Sequence, residues 1–351
     1  MKHSSHRYVP WVFGSAILII VVVVSLHFSE ATDFFRVAQT SQPGWILLAT
    51  VLQLLTYVAQ GEVFRAPVRA TKHRLGAKLV YQLSLVKLFM DQALPSAGIS
   101  STVFVAKALR QHRIPRSVVA ASMVLNIASY HIAYIICLVA ALTVTTARGR
   151  SKVVIMMASM VFLLFAIGLV AAVIAISAGR VKKQAAFVER VPVVRSAMEF
   201  LTDADAGLTQ NLRLLAETSF WQVVIFLLDA ATMWVLILAL GKHASVKGVY
   251  ASFMISSLLR TMGIVPGGLG TFEATSVVTL RMVGVAIPVA LSATLLFRGL
   301  TFWLPMLPGF WLSRKIATFD RRSGARAEGD RPWTRSRRRD SLHGRTSQGT
   351  A

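Results

Sequence analysis

Long apolar runs are the feature that most limits how this chain can fold. Of its 351 residues, 55% are hydrophobic. Several runs reach the roughly 20 residues that a helix needs to cross about 30 Å of hydrocarbon. Because backbone polar groups in lipid must be satisfied internally, such runs fold as helices, and the sequence predicts an all-α polytopic membrane protein. About six full spans are predicted, at residues 11–28, 44–64, 117–143, 153–177, 219–240 and 288–312.

Two further apolar regions are too long for one span and are interrupted in the middle. Residues 79–109 are broken at 95–98, and residues 249–283 are broken at 266–270. Proline removes a backbone donor and glycine tolerates tight turns, so a helix cannot run straight through either break. Each half is too short to cross the bilayer, which predicts two re-entrant helical hairpins. Broken backbone at membrane depth indicates a protein-lined or water-filled site. The residues predicted to line it at the second break are Pro266, Gly267, Gly268 and Gly270.

The distribution of basic residues predicts the orientation of the chain. Cytoplasmic loops carry an excess of Lys and Arg, and most of the 38 basic residues fall on one side when both termini are cytoplasmic. The two hairpins then enter from opposite faces, as in an inverted repeat; the alternative is that two unrelated kinks coincide. The predicted divisions are a cytoplasmic N-terminus (1–10), a transmembrane domain (11–313) with repeat halves 44–143 and 219–312 and a cytoplasmic link 178–218, and a basic disordered tail (314–351).

Charged side chains at membrane depth are the next candidates for function. Each costs about 2.5–3.5 kcal/mol or more at the bilayer centre, so each needs a partner or a purpose. Lys87 and Asp91 stand four residues apart in the first hairpin and can pair on one helix face. The alternative to a functional role is a set of ion pairs that only stabilises the bundle. The charged residues predicted at this depth are Lys87, Asp91, Asp229, Arg260, Glu273 and Arg298.

Three of these residues gather around the second break in the sequence. Arg260 and Glu273 flank it, and Arg298 lies deep in the last predicted span. We predict that both arginines contact a phosphate, because a guanidinium matches phosphate in charge and geometry. The N–H groups after Pro266 predict a further anion site at the start of the second half-helix. Glu273 is expected to pair with an arginine or to meet a cationic headgroup. Together with Lys87 and Asp91, these residues form the predicted substrate-binding set.

The second break also carries a family resemblance. The Pro-Gly-Gly-Leu-Gly stretch at 266–270, with Glu273, then Phe297 and Arg298, and the stretch 304–309, resembles the transmembrane region of lysylphosphatidylglycerol synthases and their free-standing flippase-like relatives. The likeness covers roughly residues 10–315. It implies a cell-membrane protein that translocates or scrambles anionic or aminoacylated phospholipids, or related lipid-linked substrates.

The same resemblance argues against catalysis by this chain. Full-length synthases attach a soluble aminoacyl-transfer domain after the membrane region, whereas residues 315–351 are too polar to bury a core. The chain has one cysteine, Cys137, and no metal-ligand spacing among its histidines. We therefore expect no enzymatic activity and no cofactor.

The net charge of +23 bears on the choice of partners. A basic tail next to a membrane span enforces orientation and attracts anionic lipid, so nucleic acid is not an expected partner. The expected partners are membrane lipids, through their phospholipid headgroups. Two other functions stay open at this point: a secondary transporter of a small solute, and a non-catalytic membrane partner of a separate lipid-modifying enzyme. A third, a membrane-embedded transferase, would require turnover by the purified protein, and the sequence offers no nucleophile or metal cluster that suggests it.

Overall fold

In the computed structural model of the chain, every secondary-structure element among the described residues is a helix, which confirms the predicted all-α class for this part of the chain. The six spans and the two re-entrant hairpins stay predictions. The predicted span 11–28 lies outside these residues, and the predicted span 153–177 lies largely outside them. The predicted tail, 314–351, is also outside. The described residues are 42–71, 73–93, 99–112, 114–146, 203–262, 268, 270–306 and 308–312, with 160, 164, 167, 168 and 171.

Four helices are long and apolar enough to cross a membrane, and they coincide with four of the predicted spans. Of the five shorter helices among the described residues, four flank the two predicted breaks, and the fifth directly precedes the third of the long helices. In chain order the helices are α1 (Pro43–Ala70), α2 (Ala77–Ala93), α3 (Ile99–Gln111), α4 (Arg116–Thr146), α5 (Ala206–Thr209), α6 (Leu212–Ala239), α7 (Val246–Met262), α8 (Thr271–Met282) and α9 (Ile287–Arg298). Helix α9 continues into a π-helical segment, Gly299–Trp303. The span that α9 begins reaches Leu312.

The spans extend beyond their apolar runs where local groups support another turn. Helix α6 begins at Leu212, inside the predicted link 178–218, so that the link ends earlier than the sequence indicated. Asn211 caps this helix, because its Oδ1 accepts hydrogen bonds from two backbone N–H groups of the first turn, at 3.1 and 3.2 Å. Within the added turn, Glu217 accepts a hydrogen bond from Arg69 of α1. Apolar run length alone does not reveal such polar helix ends.

Helices α1 and α6 pack side by side and run antiparallel. At one end of the pair, the N–H of Gln42 donates to the carbonyl oxygen of Ala239 at 2.8 Å. At the other end, Arg69 pairs with Glu217. Helix α6 also contacts α4, α7 and α9, which makes it the helix around which the bundle is organised.

The second broken region folds as two helices, α7 and α8, that pack against each other. Small polar side chains line their contact: the hydroxyl of Thr279 lies 2.6 Å from that of Ser252 and 3.1 Å from that of Ser256. A similar contact joins α8 to α9, where the hydroxyls of Ser276 and Thr294 are 3.0 Å apart. Small residues allow helix backbones to approach closely, and their hydroxyls bond across the contact. The first broken region likewise folds as the contacting pair α2 and α3.

The polarity of α1 is the reverse of that of a surface helix in a soluble protein. Its exposed face carries large apolar side chains, including Leu47, Leu54 and Val58. Its buried face carries the amides of Gln53 and Gln60. Polar groups inside and apolar groups outside are typical of a helix that faces lipid and packs its polar side chains into the bundle.

Candidate functional site

The structure has a helix break where one was predicted, at residues 266–270. Helix α7 ends at Met262, and α8 begins at Thr271. Between them, Gly268 and Gly270 have φ angles of 63° and 81°, a region that side chains other than glycine rarely adopt. Pro266 and Gly267 lie outside the described residues. The two described glycines thus turn the chain from one helix into the next.

A buried ion pair joins Glu273 in the first turn of α8 to Arg298 at the end of α9. Arg298 Nε donates to Glu273 Oε1 at 2.6 Å, and the two residues are 4% and 9% exposed. The second carboxylate oxygen, Oε2, accepts the N–H of Gly270 at 2.7 Å. Glu273 therefore stabilises the start of α8 and neutralises Arg298 with the same side chain. The prediction that Glu273 pairs with an arginine is confirmed.

Aromatic rings surround this pair. The guanidinium carbon of Arg298 lies 4.8 Å from the ring centre of Phe302 and 5.5 Å from that of Phe272. Phe272 in turn stacks on Phe297, with ring centres 5.7 Å apart. A cation over a ring face is stabilised by the ring quadrupole, most strongly where water is excluded. Arg298 is consequently held between rings and carboxylate.

Arg260, at the end of α7, lies beside the same ring but in a different situation. Its guanidinium carbon is 5.6 Å from the ring centre of Phe272, and the side chain is partly exposed. Its stem packs directly on Gly268, where a Cβ would overlap Cγ of Arg260. Within the part of the chain that the structure describes, its guanidinium forms no ion pair and donates no hydrogen bond. Arg260 is thus the cation at this break whose donors are not used by any described residue.

One backbone donor at the start of α8, the N–H of Gly270, is already occupied. We expected the N–H groups after Pro266 to form an anion site. In the structure the N–H of Gly270 already donates to Glu273, the protein's own carboxylate. An anion at this position would have to displace that carboxylate, so the side chain of Arg260 is the better anchor.

Lys87 and Asp91 form the ion pair that their spacing predicted. Lys87 Nζ lies 2.9 Å from Asp91 Oδ2 on one face of α2. The other carboxylate oxygen, Oδ1, is buried and has no hydrogen-bond partner among the described residues. These two residues therefore belong to a separate polar cluster on α2, whereas the pair around the break is formed by α8 and α9.

A π-helical segment follows Arg298 directly. Such a segment widens the helix and leaves carbonyl groups for other partners, and π-helical turns are frequent at functional sites. Two of these carbonyls are taken by the first half of the chain. Tyr57 of α1 donates its hydroxyl to the carbonyl oxygen of Leu300 at 2.7 Å, and Gln92 of α2 donates to that of Thr301 at 2.8 Å. The segment that carries Arg298 is therefore tied to both α1 and α2.

Comparison with known families agrees with this arrangement. The model of the family described as lysylphosphatidylglycerol synthase TM region matches residues 11–309, most of the chain. The chain belongs to this family. The match includes both broken regions and the Glu273 and Arg298 pair, so the resemblance drawn from the residues of the second break is confirmed.

Two curated proteins are similar to this family member. A UPF0104 membrane protein of Methanocaldococcus jannaschii is 22% identical over 324 residues, covering 84% of this chain and 93% of that protein. A UPF0104 membrane protein of Pyrococcus horikoshii is 28% identical over 102 residues, covering 29% of this chain and 30% of that protein. Both names state a membrane protein, in agreement with the multi-pass membrane architecture of the family.

Polar residues that the sequence reasoning missed lie between α1 and α6. Gln53 and Thr56 of α1 face the carboxylate of Asp229 on α6, and Arg260 is within electrostatic reach of it. Gln53 and Gln60 stand seven residues apart in a predicted span, a spacing that places both on one helix face and could have revealed this polar stripe. Across the described ranges, no three His, Cys, Asp or Glu residues gather closely enough to hold a metal ion.

Proposed function

We propose that this protein translocates or scrambles phospholipids across the bilayer. The observation that carries the proposal is the guanidinium of Arg260, which lies at the helix break without an ion pair or hydrogen bond to any residue that the structure describes. An arginine at membrane depth without a partner of its own is costly, and this cost is offset when a substrate anion binds. A phospholipid phosphate is the anion most abundant at a membrane.

The two arginines have different roles in this proposal, because their surroundings differ. Arg298 is saturated by Glu273 and two rings, so in this proposal it positions the α8 and α9 ends rather than reaching for substrate. Arg260 offers its donors in a planar fork that fits two phosphate oxygens at once. Glu273 keeps Arg298 from competing with Arg260 for the phosphate.

The proposed path uses the two broken helix pairs. Helices α7 and α8 have 17 and 12 residues, which at 1.5 Å per residue gives roughly 25 and 18 Å, short of about 30 Å of hydrocarbon. We propose that they form a re-entrant hairpin, and that α2 and α3 form its oppositely oriented counterpart. A polar groove between them would lower the cost of removing water from a headgroup. The basic loops favour a cell-membrane protein with both termini in the cytoplasm.

Reconstitution in liposomes tests this function. Phosphatidylglycerol labelled on an acyl chain is placed in both leaflets, and a membrane-impermeant quencher reports how fast protected label becomes accessible. We expect the protein to accelerate this loss and Arg260→Gln to abolish the acceleration. Lys242→Gln, an exposed lysine between α6 and α7, is the matched control and is expected to behave as wild type. No acceleration over protein-free liposomes would contradict the proposal.

If the protein does not accelerate lipid movement, one of the other two functions is favoured. A guanidinium also binds carboxylate and free phosphate, so uptake of a small anionic solute by the same liposomes would favour a secondary transporter. Co-purification with a lipid-modifying enzyme would favour a non-catalytic membrane partner. Turnover of lipid by the purified chain alone would contradict our proposal that it is not an enzyme.

A further inference from the structure

Buried polar atoms without hydrogen-bond partners among the described residues occur on α1 and on α6. Gln53 is 2% exposed and Gln60 is 6% exposed, yet Gln53 Oε1 and Gln60 Nε2 find no partner among the described residues. Asp229 Oδ1 on α6 is buried and also has no hydrogen-bond partner among the described residues, although the side chains of Gln53 and Thr56 lie close enough to the Asp229 carboxyl group to interact with it. Buried polar atoms are nearly always hydrogen-bonded, so such a group of exceptions indicates an occupant.

The chemistry of these atoms selects the kind of occupant. Gln53 Oε1 and Asp229 Oδ1 are both acceptors, and one of them belongs to a carboxylate. Two acceptors at low dielectric are best satisfied by a cation that carries several N–H donors, which a primary ammonium does. Gln60 Nε2 is a donor and lies two helical turns away, on the same face of α1.

Arg260 adds the complementary charge. It lies within electrostatic reach of Asp229 but forms no ion pair with it. We propose that Asp229 and Gln53 bind the ammonium of a headgroup whose phosphate contacts Arg260, so that the site prefers phospholipids that carry a primary amine over those that do not. This inference rests on the proposed function, because it assigns a second contact to the same transported headgroup.

Hydrogen bonds of neighbouring residues fix the position of α1 at this site. Thr56 faces Asp229 beside Gln53 and bonds its hydroxyl to the carbonyl oxygen of Leu52 at 3.1 Å. Tyr57 lies on the same stretch of α1 and is fixed by its bond to Leu300. The Gln53 acceptor is therefore presented from a helix that is bonded to the π-helical segment next to Arg298.

Lipids that differ only in the headgroup amine test the site. Acyl-labelled phosphatidylethanolamine has three N–H donors, phosphatidylcholine has the same charge without donors, and phosphatidylglycerol has no amine. We expect the wild type to move phosphatidylethanolamine fastest. Asp229→Asn should lower that rate about tenfold, as expected for the loss of a charged hydrogen bond, and leave phosphatidylcholine and phosphatidylglycerol unchanged.

Glutamine variants control for effects on folding. Gln53→Met keeps the volume but removes the acceptor, and it should also lower the preference for phosphatidylethanolamine. Gln222→Met is the matched control: Gln222 is likewise 2% exposed, but its amide has a partner in Asn126, 3.4 Å away. The quantity compared is the ratio of the phosphatidylethanolamine rate to the phosphatidylcholine rate. A ratio that falls in Gln53→Met and is unchanged in Gln222→Met supports the assignment, whereas a ratio that falls equally in both variants overturns it.

Thermal unfolding of the detergent-purified protein separates this inference from the proposed function. A lipid that binds the folded state raises its melting temperature. If no lipid moves, but phosphatidylethanolamine stabilises the wild type more than phosphatidylcholine does and Asp229→Asn removes the difference, the amine site stands and translocation is refuted. If lipids move but Asp229→Asn changes neither the rate ratio nor the stabilisation, the amine site is refuted and translocation stands.

Discussion

Glu273 and Arg298, 25 residues apart in the chain, meet across α8 and α9 with 2.6 Å between Oε1 and Nε. Their contact explains how a full positive charge is held deep in an apolar bundle. The carboxylate neutralises it, and the rings of Phe272 and Phe302 cover its faces. Glu273 also accepts a hydrogen bond from the N–H of Gly270. One side chain therefore both stabilises the start of α8 and neutralises Arg298 of α9.

Removing either partner of this pair should be strongly destabilising. Glu273→Gln leaves Arg298 as a buried charge without its counterion, a change that costs about 3–5 kcal/mol, and Arg298→Met leaves the carboxylate in the same position. The double variant should lose less than the sum of the two. Reversible unfolding in mixed detergent micelles measures the free energy of unfolding of all three.

An exposed ion pair provides the contrast for that experiment. Arg116 and Asp203 are 2.6 Å apart, but both side chains are exposed. Asp203→Asn is expected to cost only about 0–1 kcal/mol. Equal losses for Asp203→Asn and Glu273→Gln would show that burial does not strengthen the Glu273 pair.

Gly268→Ala should impair lipid translocation by displacing Arg260. The residue has a φ of 63°, and an added Cβ would overlap the stem of the Arg260 side chain. Gly241→Ala is the matched control, since its φ is 69° but nothing lies within 4 Å of the added atom. Both should lose about 1–2 kcal/mol of stability to backbone strain. Only Gly268→Ala should lower the rate of phosphatidylglycerol movement in liposomes; equal rates in the two variants would disprove the positioning of Arg260 by this contact.

Tyr57→Phe should destabilise the junction between α1 and the π-helical segment. The change removes the donor of the Leu300 carbonyl in a partly buried contact, at a cost of about 1 kcal/mol. Tyr81→Phe removes a hydroxyl that makes no hydrogen bond to any described residue, and it should be close to neutral. Chemical denaturation of the two variants compares these costs, and a neutral Tyr57→Phe would mean that the carbonyl finds another donor.

Gly309→Ala should separate the end of the last span from α2. A Cβ at this position would lie 2.5 Å from Phe89 Cβ and 2.8 Å from the carbonyl oxygen of Leu85, so backbone must move. We expect a loss of about 1–3 kcal/mol from overpacking. Gly44→Ala, where nothing lies within 4 Å, should be neutral or slightly stabilising. The melting temperatures of both variants are measured in the same detergent. Equal melting temperatures would contradict the close contact between Gly309 and α2.

The sequence by itself determined the four membrane-spanning helices that the structure describes. Apolar run length predicts the spans because the thickness of hydrocarbon sets the length of a helix that crosses it. Pro266 and its neighbouring glycines predict the interruption between α7 and α8, since they act on the backbone locally. The pairing of Lys87 with Asp91 follows from spacing within one helix, which needs no knowledge of other helices.

Only the tertiary structure decided which charges and polar groups meet between helices. The sequence predicted that Arg260, Glu273 and Arg298 lie near one another. The rotation and offset of α8 against α9 decide that the Glu273 carboxylate pairs with Arg298. As a result, Arg260 has no ion pair with any described residue. The same holds for Gln53 facing Asp229. Helical periodicity states which residues share a face of one helix; which faces meet depends on side-chain packing summed over the whole bundle.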